Sequence, residues 1–368
     1  MANETINWWN LELGQEEIDA VTSAIKNRYV SMGRLTEEFE DALAQTLCVP
    51  HVVCVPSGTA ALMISSMAAG VGPGSEVIVP DRTFVATAHA PMILGGFVRL
   101  VDTKPESPVM DESLLEGLIS NRTKAIIPVH LNGHAANMDA INAIAERHRV
   151  TVIEDACQAF GSRSKGRLLG TLSRFGCFSL GLTKLVTTGQ GGFVTCHTTE
   201  DWVTLRKIRN HGVFDVFKDG ASNMVAGNFK LTDLQASIGL AQLAKFQQKC
   251  RHQLEVYLRY RQELAEVKCL RCAGVNVEGG EVPLRPEYLC TDRDKFITEI
   301  NRHGINVVAH THSLNELPYL HIPGASFPNS QFHHARALIL PCGPDQPKSN
   351  VDRVIAVIRE IGDAFPVW

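Results

Sequence analysis

The sequence predicts an α/β fold in which helices cover a mostly parallel β-sheet. Short segments rich in β-branched residues alternate along the chain with amphipathic helical stretches. These short segments are apolar at nearly every position, which is typical of strands buried on both faces of a sheet. With 368 residues the chain is also longer than one hydrophobic core usually supports, so we expect a second, smaller domain.

The predicted elements of the first half can be assigned to residues. Strands are predicted where apolar runs are bounded by Gly, Pro or a helix signal, at residues 52–55, 77–79, 125–129 and 150–153. Thr36 can cap a helix with Phe39, Leu43 and Leu47 on one face, and residues 138–147 form a second amphipathic stretch. Strands and helices therefore alternate as a parallel sheet requires.

The pattern changes after about residue 241. A long charged helix is predicted over residues 243–264, followed by a strand over 282–289 and a helix over 292–302 that Gly304 is well placed to end. We therefore predict a large domain of residues 1–243 and a small C-terminal α+β domain of residues 244–368.

Composition and charge exclude several classes of protein. Hydrophobic residues make up 45% of the chain, which excludes disordered and fibrous proteins. The net charge is -4 and no Lys/Arg stripe is present, so no nucleic-acid partner is expected. Residues 1–10 lack the pattern of a signal peptide and no apolar run reaches membrane-spanning length, which predicts a cytosolic protein with no membrane partner.

The ten cysteines are scattered, and only Cys269 and Cys272 form a CxxC pair. Without a second pair or a nearby histidine, this pair indicates free thiols rather than a zinc or redox site. We therefore expect all ten cysteines to be reduced, and no metal site is predicted.

Residues 57–62, Ser-Gly-Thr-Ala-Ala-Leu, follow the first predicted strand and open a helix. A glycine at a helix start lets an anion approach the exposed backbone amides, so a phosphate would fit there. The alternative is a plain strand-to-helix turn in which Ser57 or Thr59 caps the helix.

Residues 152–156 place the carboxylates of Glu154 and Asp155 at the end of a hydrophobic strand. A buried acid needs a positive partner, which can be a protonated pyridine nitrogen or a metal ion. Neighbouring side chains of a strand point to opposite faces, so Glu154 is expected to be structural and no second ligand for a metal at Asp155 is evident.

Lys184 lies among apolar and small polar residues and precedes the glycine-rich stretch 189–192. A lysine in such surroundings loses its proton more readily than a surface lysine, as amine nucleophiles require. The alternative is a solvated loop lysine. Asn228, in the stretch 227–231, is either a left-handed turn residue or a donor to an anion.

Taken in order, these segments resemble the DegT/DnrJ/StrS family of sugar aminotransferases, which are fold type I enzymes that use pyridoxal 5'-phosphate (PLP). The resemblance rests on residues 57–62, 74–80, 83–87, 128–130, 154–156, 183–184 with 188–189, Arg209 with 211–212, and 227–228. It implies that Lys184 binds PLP covalently and carries the proton between substrate and cofactor, and that Asp155 pairs with the pyridine nitrogen.

The resemblance also assigns the remaining cofactor contacts. Phe84 stacks on the ring, and the alternative is a plain core residue. Gln158 donates to the ring hydroxyl, and the phosphate is held by the backbone of Gly58 and Thr59 and by the Ser179 hydroxyl. Asn228 reaches the phosphate of the neighbouring subunit, which implies a homodimer with shared active sites. His130 and His211 match family positions, but structural hydrogen bonding is the expected role of both.

Three positions depart from the family pattern. Gln190 stands where the family usually has Glu, and Lys230 replaces an arginine, so a bidentate contact by that side chain is lost. Asn315 stands at a histidine position in the C-terminal part.

The predicted reaction is a ping-pong transamination. L-Glutamate converts PLP to the pyridoxamine phosphate form with release of 2-oxoglutarate, and the amino group then passes to a keto sugar, most often nucleotide-linked, for a surface polysaccharide or a glycosylated metabolite. Two alternatives are a PLP-dependent sugar dehydratase of the same family and a non-catalytic regulator on the same fold. The dehydratases carry histidine in place of the lysine, so Lys184 argues against the first.

Overall fold

The computed structural model describes residues 5–215, 221–222, 224–309 and 311–368. Its helices within these ranges are α1 (Gln15–Lys26), α2 (Arg34–Leu47), α3 (Gly58–Ala68), α4 (Ala86–Ile93), α5 (Met138–His148), α6 (Thr199–Arg209), α7 (Asp233–Ala244), α8 (Phe246–Glu263), α9 (Arg293–Arg302), α10 (Pro328–Arg336) and α11 (Lys348–Gly362). The strands are β1 (His51–Val55), β2 (Glu76–Pro80), β3 (Phe97–Val101), β4 (Thr103–Lys104), β5 (Ser107–Met110), β6 (Thr123–Ile126), β7 (Thr151–Asp155), β8 (Arg163–Ser164), β9 (Arg167–Leu168), β10 (Phe175–Ser179), β11 (Gly192–Cys196), β12 (Leu270–Cys272), β13 (Glu287–Cys290) and β14 (Ala337–Ile339).

A seven-stranded sheet in the order β1-β11-β10-β7-β6-β2-β3 forms the centre of the molecule. The neighbouring strands from β10 to β3 are parallel, and only β11 runs antiparallel to its two neighbours. The predicted α/β fold with a mostly parallel sheet is therefore confirmed.

Helices bury both faces of this sheet. Val53 and Val55 of β1 lie in a core with α3, α4 and α6, whereas Val52 and Cys54 lie in a second core on the opposite face. Because successive side chains of a strand alternate between the faces, a strand covered on both sides needs apolar residues at almost every position. This is why the strand segments read as continuous apolar runs.

The start of α2 differs from the prediction. The helix begins at Arg34, and Thr36 is buried inside it rather than capping it. The cap is supplied from α7: the carboxylate of Asp233 accepts hydrogen bonds from the backbone N–H groups of Gly33 and Thr36, both at 2.9 Å. A carboxylate at this position satisfies free N–H groups and complements the helix dipole.

The long helix predicted over residues 243–264 is also wrong in its extent. Two helices, α7 and α8, meet at Lys245. The predicted strand 282–289 is likewise shorter, because only β13 pairs in a sheet. The preceding residues pack on the turn at Gly133, where an added Cβ would lie 2.1 Å from the carbonyl oxygen of Val282. Their backbone therefore turns toward the large sheet instead of extending the small one.

The C-terminal part contains an antiparallel sheet in the order β12-β13-β14, which packs with α8, α9 and α11. Gly304 follows the end of α9 with φ +71°, as predicted for a residue that ends a helix. Ile6 belongs to the same core and pairs with Ile305. The division at residue 243 stays a prediction. Within the described ranges, no helix has both the length and the apolar character that crossing a bilayer requires.

Candidate active site

A cleft of about 330 Å³ opens where the carboxyl ends of the parallel strands meet. It is reached by residues that directly follow β1, by Phe84 after β2, by Asp155 at the end of β7 and by Ser179 at the end of β10. Open α/β sheets bind ligands at this edge. The other residues that line the cleft are Ser57, Gly58, Thr59, Leu62, Ala86, Cys157, Gln158, Gly181, Leu182, Thr183, Lys184, Gln190 and Arg285.

The start of α3 forms one wall of the cleft. Ser57 caps the helix, and its Oγ accepts a hydrogen bond from the backbone N–H of Ala60 at 3.0 Å. A side chain at Gly58 would place its Cβ 2.8 Å from Sγ of Cys157 and 2.9 Å from Cβ of Ser179, so only glycine fits. The turn that Ser57 caps is therefore also the place where an anion site is predicted. Ser179 lies beside this helix start.

Asp155 is 5% exposed and faces the cleft. Its Oδ2 accepts from Oγ1 of Thr87 at 2.8 Å, and its Oδ1 accepts from the backbone N–H of Cys157 at 3.2 Å. Both donors are neutral, and no cation of the described residues forms an ion pair with this carboxylate. A buried acid without a positive partner is costly, so the site is suited to a cationic group of a ligand.

Glu154 points to the opposite side of β7, as predicted. Its carboxylate accepts from the backbone N–H groups of Gly170 at 2.8 Å and Leu172 at 2.6 Å. His130 shares this carboxylate through Nε2 at 3.0 Å, while its Nδ1 accepts from the backbone N–H of Ala136. Both side chains therefore fix neighbouring loops, which is the structural role expected for them.

Lys184 is partly buried in the cleft beside Cys157 and Gln158. Burial lowers the pKa of its amine to about 8, and the positive charge of Arg285 adds to this effect. Both causes disfavour the ammonium form. The side chain therefore lies among cleft residues rather than on the open surface.

The lowered pKa predicts how the apoprotein takes up PLP. Only the neutral amine of Lys184 can attack the PLP carbonyl, and about a tenth of it is neutral at pH 7 if the pKa is near 8. The uptake rate, followed by stopped-flow absorbance, should therefore rise with pH and level off above pH 8. A rate that still rises steeply between pH 9 and 10 would contradict the lowered pKa.

Phe84 and Gln158 both line the cleft. Phe84 is 52% exposed and lines the cleft, so it is not a core residue. Gln158 is buried, and its Oε1 accepts from the backbone N–H of Asn132 at 3.1 Å. This bond leaves the amide NH₂ of Gln158 as the group that can donate to a ligand.

Two residues of the site were not singled out from the sequence. Thr87 holds Asp155, and its hydroxyl also contacts Oγ1 of Thr83 at 2.8 Å. Its position four residues after Thr83 on the start of a helix was a usable signal. Arg285 enters the cleft from the segment before β13, and no local pattern in the sequence indicates this.

Asn228 does not line the cleft of its own chain. It is exposed, and its Oδ1 accepts from the backbone N–H of Lys230 at 3.4 Å. Gln190 lies at the rim of the cleft, and its backbone oxygen accepts from Nε2 of Gln235 at 2.6 Å. Asn315 contacts other residues of its own loop, where its Oδ1 accepts from the backbone N–H of Ile322 at 2.8 Å.

All ten cysteines are free thiols. Cys269 and Cys272 point to different partners, since Cys269 lies against Cys290 and Cys272 contacts the hydroxyl of Tyr257. Among the residues that the structure describes, no group of three or more His, Cys, Asp or Glu side chains could hold a metal ion.

The residues of the cleft fit PLP. A buried carboxylate that forms no ion pair suits the pyridine nitrogen, a lysine of lowered pKa suits the carbonyl, and the start of α3 at Gly58 and Thr59 suits the phosphate. These three features lie in one cleft.

The chain is similar to several known proteins. A family model described as the DegT/DnrJ/EryC1/StrS aminotransferase family matches residues 11–359. GDP-perosamine synthase of Caulobacter vibrioides is 33% identical over 357 residues, covering 95% of this chain and 96% of that protein. The spore coat polysaccharide biosynthesis protein SpsC of Bacillus subtilis is 30% identical, with 95% of each chain covered.

Solved structures show the same similarity. DesV of S. venezuelae superposes with a TM-score of 0.93 at 28% identity, covering 98% of this chain and 99% of that chain. DesI, solved in the presence of its TDP-sugar product, superposes with a TM-score of 0.90 at 26% identity, covering 98% and 93%. The chain therefore belongs to the DegT/DnrJ/EryC1/StrS aminotransferase family.

Proposed function

We propose that this protein transfers an amino group from L-glutamate to the ketone of a nucleotide-linked sugar, with PLP as its cofactor. The observation that carries the proposal is that the Lys184 amine and the Asp155 carboxylate face one cleft, where this carboxylate forms no ion pair with a cation of the described residues. The amine suits covalent chemistry and the carboxylate suits a protonated ring nitrogen. Location in the cytosol stays a prediction.

Each residue has a distinct task in this proposal. Bound PLP supplies an electron-accepting ring. Asp155, held by Thr87, keeps a proton on the ring nitrogen. The Lys184 amine first holds the cofactor, and afterwards takes the proton from the donor carbon and delivers it as a general acid and base. Phe84 covers one face of the ring, and the backbone of Gly58 and Thr59 with the Ser179 hydroxyl binds the phosphate.

The sugar substrate is inferred from relatives. One is named for a GDP-linked sugar product, and the structure of another was determined in the presence of its TDP-sugar product. The spore coat relative is named for polysaccharide biosynthesis. These names support a nucleotide-linked keto sugar as the acceptor and amino-sugar biosynthesis as the purpose. The dehydratase alternative is disfavoured because Lys184 supplies an amine at the position of its histidine.

The proposal is tested in two half-reactions. The purified protein with PLP should show a near-visible absorbance band that borohydride fixes onto Lys184, as peptide mass spectrometry would locate. Glutamate should convert the band to that of the pyridoxamine form with release of 2-oxoglutarate, and a panel of GDP-, TDP- and UDP-linked keto sugars should restore it. A protein that takes up PLP on another residue, or that no amino acid converts, would contradict the proposal.

We further propose that two copies share their active sites through Asn228. In its own chain Asn228 is exposed and lies outside the cleft, and its Nδ2 is directed to no described partner. The rim of the cleft carries the apolar side chains of Phe84 and Leu182, which are 52% and 57% exposed. Exposed apolar side chains beside a ligand site favour coverage by a second copy.

Mixing two inactive variants tests the shared site. In a mixed dimer of Lys184→Ala and Asn228→Ala, one site carries both lesions and the other carries neither. Refolding the two variants together should therefore recover up to about a quarter of wild-type activity, since half of the dimers are mixed and each has one intact site. Either variant refolded alone is the control. No recovery, although size-exclusion chromatography shows mixed dimers, would place Asn228 in its own chain's site, and full activity of Asn228→Ala alone would place it outside any site.

A further inference from the structure

The guanidinium of Arg285 lies inside the cleft and is 2% exposed. Apart from Lys184, it is the only cationic side chain among the described residues that line the cleft. Its Nη1 lies 3.5 Å from Oδ1 of Asn132 and from Oε1 of Gln158, and its Nη2 lies 3.4 Å from Oγ1 of Thr183. These contacts are longer than ordinary N–H···O bonds, and its Nε has no partner.

No carboxylate of the described residues forms an ion pair with Arg285. The nearest acid along the chain, Glu287, is committed elsewhere: its Oε1 accepts from Nη2 of Arg82 at 2.8 Å and its Oε2 accepts from Nδ2 of Asn132 at 2.6 Å. The ring of Trp8, 5.7 Å from Cζ, covers one side of the guanidinium. Burial lowers the pKa of Arg285 to about 10, so it remains charged at neutral pH.

A buried guanidinium with unfilled donors is costly unless a ligand supplies the anion. Its forked N–H groups match the two oxygens of a carboxylate. Nη2 approaches Thr183, the residue before Lys184, and the charge of Arg285 also lowers the pKa of the Lys184 amine, so the two cationic groups act on the same part of the cleft. A donor amino acid must bring its own nitrogen to that point, and its α-carboxylate is then two bonds away from it.

We propose that Arg285 binds the α-carboxylate of the amino donor and thereby selects an α-amino acid over a simple amine. The inference rests on the proposed aminotransferase function. A keto sugar has no carboxylate next to its reacting carbon, so Arg285 distinguishes the first substrate from the second. The 3-oxygen of the PLP ring is a second negatively charged oxygen to which a guanidinium can donate, and Gln158 would approach it. The test therefore distinguishes binding of the donor α-carboxylate from binding of this ring oxygen.

The test compares glutamate with 4-aminobutanoate, which lacks only the α-carboxylate. In wild-type holoenzyme, the rate constant of the half-reaction divided by the substrate dissociation constant should be about 10²-fold or more higher for glutamate than for 4-aminobutanoate. In Arg285→Met this ratio should fall close to one, and in Arg285→Lys it should be partly restored. The half-reaction of the pyridoxamine form with the keto sugar should change much less in both variants.

Binding without turnover provides a second readout. α-Methyl-L-glutamate has no α-hydrogen, so its dissociation constant is measured from the absorbance change alone, and it should rise about 10²-fold in Arg285→Met. An unchanged glutamate preference in this variant, with an altered pH titration of the substrate-free chromophore, would assign Arg285 to the ring oxygen and overturn the proposal. Failure of the proposed function would appear in the wild type instead, as no conversion by any amino acid.

Thermal melting of the apoprotein separates a binding role from a structural one. Arg285→Met removes an unpaired buried charge and should not lower the melting temperature. The matched control is Arg82→Met, because Arg82 is 1% exposed and ion-paired, so its loss removes the ion pair of the buried Glu287 carboxylate and should lower the melting temperature. If Arg285→Met melted as early as this control, Arg285→Lys would distinguish the two roles. An Arg285→Lys variant with the wild-type melting temperature and the wild-type glutamate preference would overturn the proposal.

Discussion

Replacing Lys184 by alanine should abolish turnover while the protein keeps its fold and still binds PLP through the remaining contacts. The side chain is both the covalent attachment point and the proton carrier in our proposal. Loss of a positioned general acid and base alone costs about 10² to 10⁴-fold in rate. We therefore expect kcat to fall by more than about 10³-fold, measured as 2-oxoglutarate formed with glutamate and a keto sugar.

The matched control is Lys348→Ala, since Lys348 is a surface lysine whose side chain is 77% exposed. It should keep wild-type activity. Small primary amines added to Lys184→Ala should partly restore the rate, because they can carry the proton in place of the missing side chain. Substantial transamination by Lys184→Ala without any added amine would show that another group performs this task.

Replacing Asp155 by asparagine should lower kcat by about 10² to 10³-fold, the range found when one preorganised electrostatic contact is removed from an active site. Asparagine is neutral and does not hold a proton on the ring nitrogen. The fold should persist, because the Thr87 hydroxyl can accept from the new amide while it donates to the backbone oxygen of Phe84. Steady-state kinetics and thermal melting measure the two effects separately.

A cofactor analogue sharpens this experiment. Wild-type protein loaded with 1-deaza-PLP, which has carbon in place of the ring nitrogen, should show a comparable loss, and Asp155→Asn should cause little further loss in that background. Asp139→Asn, a surface change at a side chain 45% exposed, is the control and should leave kcat unaffected. Additive losses from the analogue and Asp155→Asn would mean that the carboxylate has a different partner.

Several features of the site could be predicted because they depend on residues close in sequence. Strand alternation correctly separated Asp155, which faces the cleft, from Glu154, which accepts backbone N–H groups on the other side. The glycine at the start of α3 was recognised from its place after a strand, and the structure shows that no side chain fits there. The roles of these residues toward PLP stay predictions.

Other features depended on contacts that no local pattern shows. Thr36 looked like a helix cap, but Asp233, almost 200 residues later in the chain, caps α2. The predicted helix over residues 243–264 is divided at Lys245, where Lys245 instead pairs with Glu17 of α1. Arg285 lies in a segment that read as a strand, and its backbone leaves the small sheet because Val282 packs against Gly133.

By itself the sequence determined the fold class and, through its resemblance, the family, and it predicts Lys184 and Asp155 as the two groups central to the chemistry. Each of these is encoded by short-range order: a strand period, a turn residue or a polar group at a strand end. Only the tertiary structure decided which donors hold Asp155, why the Lys184 pKa is low and that the cationic side chain of Arg285 enters the cleft. These properties arise from burial and from charges brought together across 100 residues of chain, so they exist only once the core has packed.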